Sequence, residues 1–188
     1  MILVKSRYYE IIDEILDTIN LNNKTVIDGT LGNGNDSLKI LKKMNNGFLY
    51  GFDVQEIAIN NSDKLLRKNG FNNYKLILDS HENIDKYIKE DIELAIYNLG
   101  YLPRSDKSVV TKPDSTVKSV SKAINKLSET GVVIVVSYIG HPGSYEENYE
   151  LEKFLKTLDQ KKYKVEKREF FNQVHTPPKV YLISRGNE

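Results

Sequence analysis

The sequence predicts an α/β fold: a seven-stranded, mostly parallel sheet with helices on both faces and an antiparallel strand pair at the C-terminal end. Three observations predict it. Short, continuously apolar runs recur along the chain, as central strands covered on both faces require. Segments of helical period separate the first five of these runs, which implies right-handed crossovers and parallel pairing. Only Asn172–Pro178 separates the last two runs, too short for a crossover helix, so that pair is antiparallel.

The chain opens on a helical pattern, Tyr8–Ile19, with Ile11, Ile12, Ile15, Leu16 and Ile19 on one face. A strand at Thr25–Asp28 precedes a helix at Ser37–Met44, and a strand at Phe48–Asp53 precedes a helix at Ile57–Arg67. The pattern repeats with strand Tyr74–Leu78, helix Glu82–Lys89, strand Leu94–Asn98 and helix Val117–Leu127. Strand Val132–Tyr138 and helix Tyr149–Leu158 follow, then strands Tyr163–Phe171 and Lys179–Ser184. Gly131 sits where a helix stops before the next strand starts. Five parallel strands closed by a terminal antiparallel pair is the Rossmann-like layout of class I methyltransferases, whereas a dehydrogenase-type nucleotide fold continues with parallel strands.

Length and composition narrow the classes. A chain of 188 residues is the size of one domain, and without a Pro/Ser-rich linker or an internal repeat residues 1–188 read as a single unit. Lys+Arg at 27 against Asp+Glu at 26 gives a formal charge of +1, which excludes a basic coat for nucleic acid but leaves room for a local patch. The absence of Cys removes disulfides, zinc–thiolate sites and thiol nucleophiles, and three scattered His make a metal cluster unexpected. No apolar run approaches the ~20 residues of a membrane span. The first residues lack the layout of a signal peptide, so a cytoplasmic protein without membrane or metal is expected.

The first strand runs into Asp28-Gly29-Thr30-Leu31-Gly32-Asn33-Gly34-Asn35-Asp36. Glycines here allow positive φ and let a ligand approach the backbone, at the expected switch point of the sheet. A tight turn capped by Asn35 or Asp36 is the structural alternative. A dinucleotide fingerprint fits Gly32 and Gly34 but fails at Ser37, and no Walker lysine follows. Asp28 and Asp36 bracket the loop, which disfavours a pyrophosphate and suits the ammonium and sulfonium of S-adenosylmethionine. Asp53, closing the second strand, is placed to accept both ribose hydroxyls, a role that serves NAD equally well. Asp79, after the third strand, is placed to reach an adenine amine, with a helix cap from Asp79 or Ser80 as the alternative. His81 reads as a helix-start residue.

After the fourth strand comes Asn98-Leu99-Gly100-Tyr101-Leu102-Pro103, at the place of the N/D-P-P-Y type loop of amine methyltransferases. In-line methyl transfer needs the amine lone pair held along the C–S axis. The Asn98 carbonyl can accept the amine N–H and aim that lone pair, and Tyr101 offers a face on which a base can stack. A loop that merely turns the chain is the alternative. From Arg104 to Lys126, Arg104, Lys107, Lys112, Lys118, Lys122 and Lys126 outnumber Asp106 and Asp114, so the stretch is either a phosphate patch or a solvated helix face. His141, within Gly140-His-Pro-Gly143, is a proton acceptor, a base-contacting group or a structural turn histidine. Asn172 and His175 lie in the last loop and read as a substrate-side lip.

Together Asp28–Asp36, Phe52–Ile59, Asn98–Pro103 with Asp106–Ser108, Gly140–Gly143, and Asn172–Gln173 with Pro177–Pro178 resemble the YtqB-like/MnmM family, a group labelled as rRNA methylases. The resemblance spans about Thr25 to Ser184. It implies a class I S-adenosylmethionine-dependent tRNA methyltransferase that converts 5-aminomethyl-2-thiouridine at the wobble position to its 5-methylaminomethyl form. The cofactor side would comprise Asp28, Thr30, Gly32, Asn33, Gly34, Asn35, Asp36, Asp53, Gln55, Asp79, Ser80, His81 and Asn98. Asn98 and Tyr101 would be catalytic, and Gly100, Tyr101, Arg104, Lys107, His141, Asn172 and His175 would meet the anticodon stem-loop of the tRNA. One departure shows: Arg104-Ser105 stand where the family pattern leads one to expect Gly-Gly. A methyltransferase for rRNA or a small amine, and an NAD-dependent or non-catalytic nucleotide-binding protein, are the rival readings. With no separate RNA-binding domain, a homodimer would widen the RNA surface.

Overall fold

In the computed structural model, residues 5, 7–100, 111–140 and 143–186 are described. Helix α1 (Tyr8–Thr18) leads into β1 (Thr25–Asp28), α2 (Asn35–Lys43), β2 (Phe48–Asp53), α3 (Glu56–Lys68) and β3 (Tyr74–Leu78). A 3-10 turn (His81–Asn83) and the one-turn α4 (Ile84–Tyr87) connect to β4 (Ile92–Leu99). Then come α5 (Pro113–Asn125), β5 (Leu127–Ser137), α6 (Ser144–Thr157), β6 (Tyr163–Arg168) and β7 (Lys179–Arg185).

The strands form one sheet of order β3-β2-β1-β4-β5-β7-β6. β1 to β5 pair in parallel, and β7 runs antiparallel to both β5 and β6. Consecutive side chains of the central strands feed opposite cores. Val26, Leu94, Ile96, Ile134 and Val136 pack with α1, α2 and α3, whereas Ile27, Ala95, Tyr97, Val133 and Val135 pack with α5 and α6. This two-sided burial produces the apolar runs. The order reverses between β1 and β4, so the loops leaving these two strands diverge and open a crevice at their carboxyl ends. Register brings Asp28 beside Ile96, Asp53 beside Leu78 and Asn98 beside Val136, so the carboxyl-terminal residues of four strands share one rim.

Boundaries differ from the sequence expectation where chemistry other than apolar period decides. β5 begins at Leu127 and runs through Gly131. A Cβ at Gly131 would lie 2.8 Å from the Ile92 carbonyl oxygen, beside a register shift between Ile92 and Leu94. That glycine serves a bulge rather than a helix stop. Helix α5 starts four residues early because Pro113 at its first position supplies a preset φ. Expected helix Glu82–Lys89 is a 3-10 turn plus a single α-turn.

Candidate active site

A cleft of about 1240 Å³ opens at the carboxyl ends of β1 to β5. Its floor is the loop after β1. Gly34 is the N-cap of α2 at φ 75°, and a Cβ there would fall 2.7 Å from Ser62 Oγ and 3.2 Å from Ser62 Cα, so both conformation and space demand glycine. Ser62 Oγ in turn donates to the Gly32 carbonyl at 3.0 Å, fastening the loop to α3. Gly29 is needed for another reason: a Cβ would sit 2.2 Å from Cε1 of the buried Tyr97 ring.

Carboxylates surround that loop. Asp28, 2% exposed, accepts from Ser37 Oγ at 2.7 Å and from the Thr30 N–H at 3.2 Å. Burial pushes its carboxyl up to about 7, the Asp36 charge adds to the effect, and the two hydrogen bonds oppose it. Asp53 accepts from the Gly32 N–H and from the Gln55 N–H, each at 2.9 Å. Burial also raises its pKa against those bonds. Asp36, in the first turn of α2, is raised by burial, with Lys39 opposing and Asp13 reinforcing the shift. Burial comes first in raising all three acids, so a cation brought among them would favour their ionised forms.

Asn98 stands opposite. Its N–H donates to Thr30 Oγ1 at 2.6 Å, and its Nδ2 donates to Asp36 Oδ2 at 2.5 Å. Its Oδ1 is buried and has no hydrogen-bond partner among the described residues. Such an acceptor is rare in a native fold and awaits a donor. The arrangement can hold an N–H of an incoming group beside a cationic nucleoside.

The structure brings most of the expected residues to this cleft. Thr30, Gly32, Asn33, Asn35, Asp36, Asp53, Gln55, Asp79, Ser80, His81, Asn98 and Gly100 all line it, while Asp28 and Gly34 lie beneath its floor. Asp79 is also a brace: its carboxylate accepts from Asn83 Nδ2 at 2.9 Å, the Ser80 N–H at 2.7 Å and Tyr87 Oη at 2.8 Å, and these bonds, Asn83 first, lower its pKa. Ser80 caps the 3-10 turn by accepting from the Glu82 N–H at 3.3 Å. His81 is 8% exposed, edge-on to Tyr97, with Nδ1 unpartnered among the described residues; burial lowers its pKa to about 4, so it is neutral at pH 7.

Other expected residues stand apart. Asn172 and His175 occupy the β6–β7 loop at the same rim, but they are exposed and do not line the cleft. Tyr101, Arg104, Lys107 and His141 lie outside the described residues. Within the lysine stretch, Lys122 Nζ is spent on Asp85 Oδ1 and the Glu82 carbonyl, both at 2.6 Å, and Lys118 pairs with Glu82 at 3.8 Å. Lys126, whose carbonyl bonds the first residue of β4, lies at the opposite rim, because α5 runs down from the cleft. Lys112 alone of the described members lines the cleft. Sequence reasoning missed the wall formed by Tyr8, Tyr9, Ile12, Lys39 and Tyr138. Tyr8 and Tyr138 meet edge to face at 5.5 Å, and Lys39 Nζ lies 5.9 Å from the Tyr9 ring centre. The signal was the Tyr8-Tyr9 pair beside Lys5 and Arg7, ahead of the first apolar face.

Residues 49–184 match the family model described as "Putative rRNA methylase". This chain belongs to that family. A crystal structure from Clostridium thermocellum carrying the same description superimposes with a TM-score of 0.94 at 36% identity, covering 97% of this chain and 100% of that one. A Streptococcus mutans protein described as a methyltransferase, in complex with SAH, gives a TM-score of 0.89 at 34% identity over 97% of this chain and 99% of its own. The tRNA (mnm(5)s(2)U34)-methyltransferase, chloroplastic, of Arabidopsis thaliana is 33% identical over 175 residues. That match takes in 87% of this family member and 64% of the plant protein's length.

Proposed function

We propose that this chain is an S-adenosylmethionine-dependent methyltransferase that N-methylates the aminomethyl group of 5-aminomethyl-2-thiouridine at the tRNA wobble position. The observation that carries this reading is the buried, unpartnered Oδ1 of Asn98 at the rim where the carboxylate-flanked glycine loop ends. An acceptor-only atom there selects a group that brings an N–H. The name of the Arabidopsis relative supplies the acceptor, and the SAH complex of the Streptococcus protein supplies the cofactor class.

The residues present fit that cofactor. Asp53, already ordered by two backbone N–H groups, keeps lone pairs for the ribose hydroxyls, and Asp28, Asp36 and Asp53 offer a field that a cation relieves. When bound, S-adenosylmethionine supplies a methyl carbon activated by its sulfonium. The chain's own part is positional. Asn98 Oδ1 accepts one N–H of the neutral amine and turns its lone pair toward that carbon. An N–C bond forms as the C–S bond breaks, and the extra proton on nitrogen leaves to water.

Incubation of the protein with methyl donor and tRNA carrying the aminomethyl nucleoside, followed by nucleoside mass mapping, tests this. One methyl gained at the wobble nucleoside is expected; methylation of rRNA or a free amine alone would overturn it. Calorimetry addresses the rival nucleotide reading, with S-adenosylhomocysteine binding and NAD failing to bind as the expected pair of results.

A further inference from the structure

We propose that Asp36 is a positioning residue that fixes which end of the Asn98 amide faces the acceptor nitrogen. The inference rests on the reading of Asn98 given above and adds what makes that reading work. The two ends of a carboxamide are nearly equal in shape and opposite in function. With oxygen toward the cleft, Asn98 accepts an N–H and leaves the lone pair free. With nitrogen toward the cleft, Asn98 would donate into that same lone pair and occupy it.

Nothing in the asparagine itself chooses between these states. Asp36 does. An ionised carboxylate only accepts, so it can face only the NH2 end, and the 2.5 Å contact from Asn98 Nδ2 to Asp36 Oδ2 is a short charge-assisted bond. The bond from the Asn98 N–H to Thr30 Oγ1 holds the backbone beneath, so the side-chain torsion is the freedom that Asp36 removes. The consequence is visible in the partner atom: Oδ1 is buried without a donor.

Burial raises the pKa of Asp36 and Asp13 of α1 adds to that shift, whereas Lys39, one turn along α2, and the bond from Asn98 itself favour the ionised form; Tyr138, just after β5, and Asp28 of β1 lie within range of its charge. Positive charge passes from sulfur to nitrogen during transfer, and a carboxylate behind the amide polarises the carbonyl toward that nitrogen. Asp36 was expected on the cofactor side; the geometry ties it to Asn98 as well.

Two measurements test the proposal. The first needs no substrate: in side-chain amide NMR spectra of the S-adenosylhomocysteine complex, one Asn98 carboxamide proton should lie downfield and move upfield in Asp36→Ala. The second uses an anticodon stem-loop carrying 5-aminomethyl-2-thiouridine. Asp36→Ala should lower kcat about 10–100-fold, with KM and S-adenosylhomocysteine affinity within about threefold of wild type, as misplacement of a reacting group does. Asp36→Asn, which can still accept but does not dictate orientation, should fall between. In an Asn98→Ala background, Asp36→Ala should cost nothing further.

An Asn98 signal indifferent to Asp36 overturns the inference and leaves the Asn98 reading standing. So does an equal kcat loss in the Asn98→Ala background. A parallel loss of S-adenosylhomocysteine affinity would make Asp36 a cofactor ligand and overturn it as well. If wild-type protein fails to methylate the stem-loop while the NMR signal is present, the functional reading falls, and the Asp36–Asn98 bond is then structural only.

Discussion

Asp28 and His81 are buried a few residues from the same ligand space, and burial moves them in opposite senses. Asp28, raised from 3.8 to about 7, prefers its neutral form in the fold, so its contribution to stability is complete below pH 3.8 and is lost as pH rises to about 7. His81, lowered from 6.5 to about 4, also prefers its neutral form, so its contribution is complete above pH 6.5 and is lost as pH falls to about 4. Between those limits the two oppose each other. Asp28→Asn should therefore unmask the histidine, giving a ligand-free protein whose melting temperature falls steadily from pH 6.5 to 4. His81→Gln should show the reverse, with stability declining from pH 4 to 7. Parallel profiles in the two variants would refute the assignment. Asp53→Ala acts on binding instead. It strips the acceptor from the Gly32 and Gln55 N–H groups and from a ribose diol together. Bonds to a charged acceptor are worth about 1.5–3 kcal/mol, so calorimetry should find S-adenosylhomocysteine at least about tenfold weaker.

At the scale of elements, the loop from β1 into α2 is the most constrained piece of chain. Gly34→Ala meets both an adverse φ of 75° and the Ser62 backbone at 3.2 Å. That variant should lose about 1–3 kcal/mol in denaturant unfolding, the range of a strained left-handed residue, and should bind S-adenosylhomocysteine poorly because the floor shifts. Ser62→Gly in the same chain removes the Oγ and Cβ clashes but keeps the Cα at 3.2 Å, gives up the bond to the Gly32 carbonyl and places a glycine inside α3, so it should recover no more than part of the loss. These constraints were legible because glycine and aspartate at a strand end carry their geometry in their identity. Central strands were legible too, since Val26-Ile27 or Val133-Ile134 must be covered on both faces. Amphipathic starts were not. Helix α6 opens at Ser144, five residues before its expected start, because its first turns bury Glu147 and Asn148 rather than apolar side chains. Glu147 accepts from Thr111 at 2.9 Å and Thr116 at 2.6 Å, partners supplied by α5 and the residues before it, which no local period reveals. The Tyr8-Tyr9 pair could be read in the sequence, but the wall it belongs to could not, for the same reason: Tyr8 and Tyr138 are 130 positions apart in the chain and meet only through the fold.

The whole molecule carries almost no net charge, yet its cleft is polarised. Asp28, Asp36, Asp53 and Asp79 gather at the loops after β1, β2 and β3, while Lys39 and Lys112 stand on the α2 and α5 walls. Under the proposed function, a cationic nucleoside would be drawn to the first group, and an RNA chain would be repelled by it and held at the rim by a small number of cations. Such a layout predicts two different responses to salt. Affinity for an anticodon stem-loop, followed by fluorescence anisotropy, should fall with rising salt with a log–log slope of about −0.7 per phosphate neutralised. Affinity for S-adenosylhomocysteine, held by hydrogen bonds over a short range, should stay nearly flat over the same interval. Lys112→Ala should make the RNA slope shallower by about one contact. Lys122→Ala should leave it unchanged and lower the melting temperature instead, because that ammonium ties α5 to the turn after β3 through Asp85 and the Glu82 carbonyl. If Lys122→Ala flattened the slope and Lys112→Ala did not, the RNA would run along α5 rather than across the cleft, and the rim assigned to the acceptor would be the wrong one.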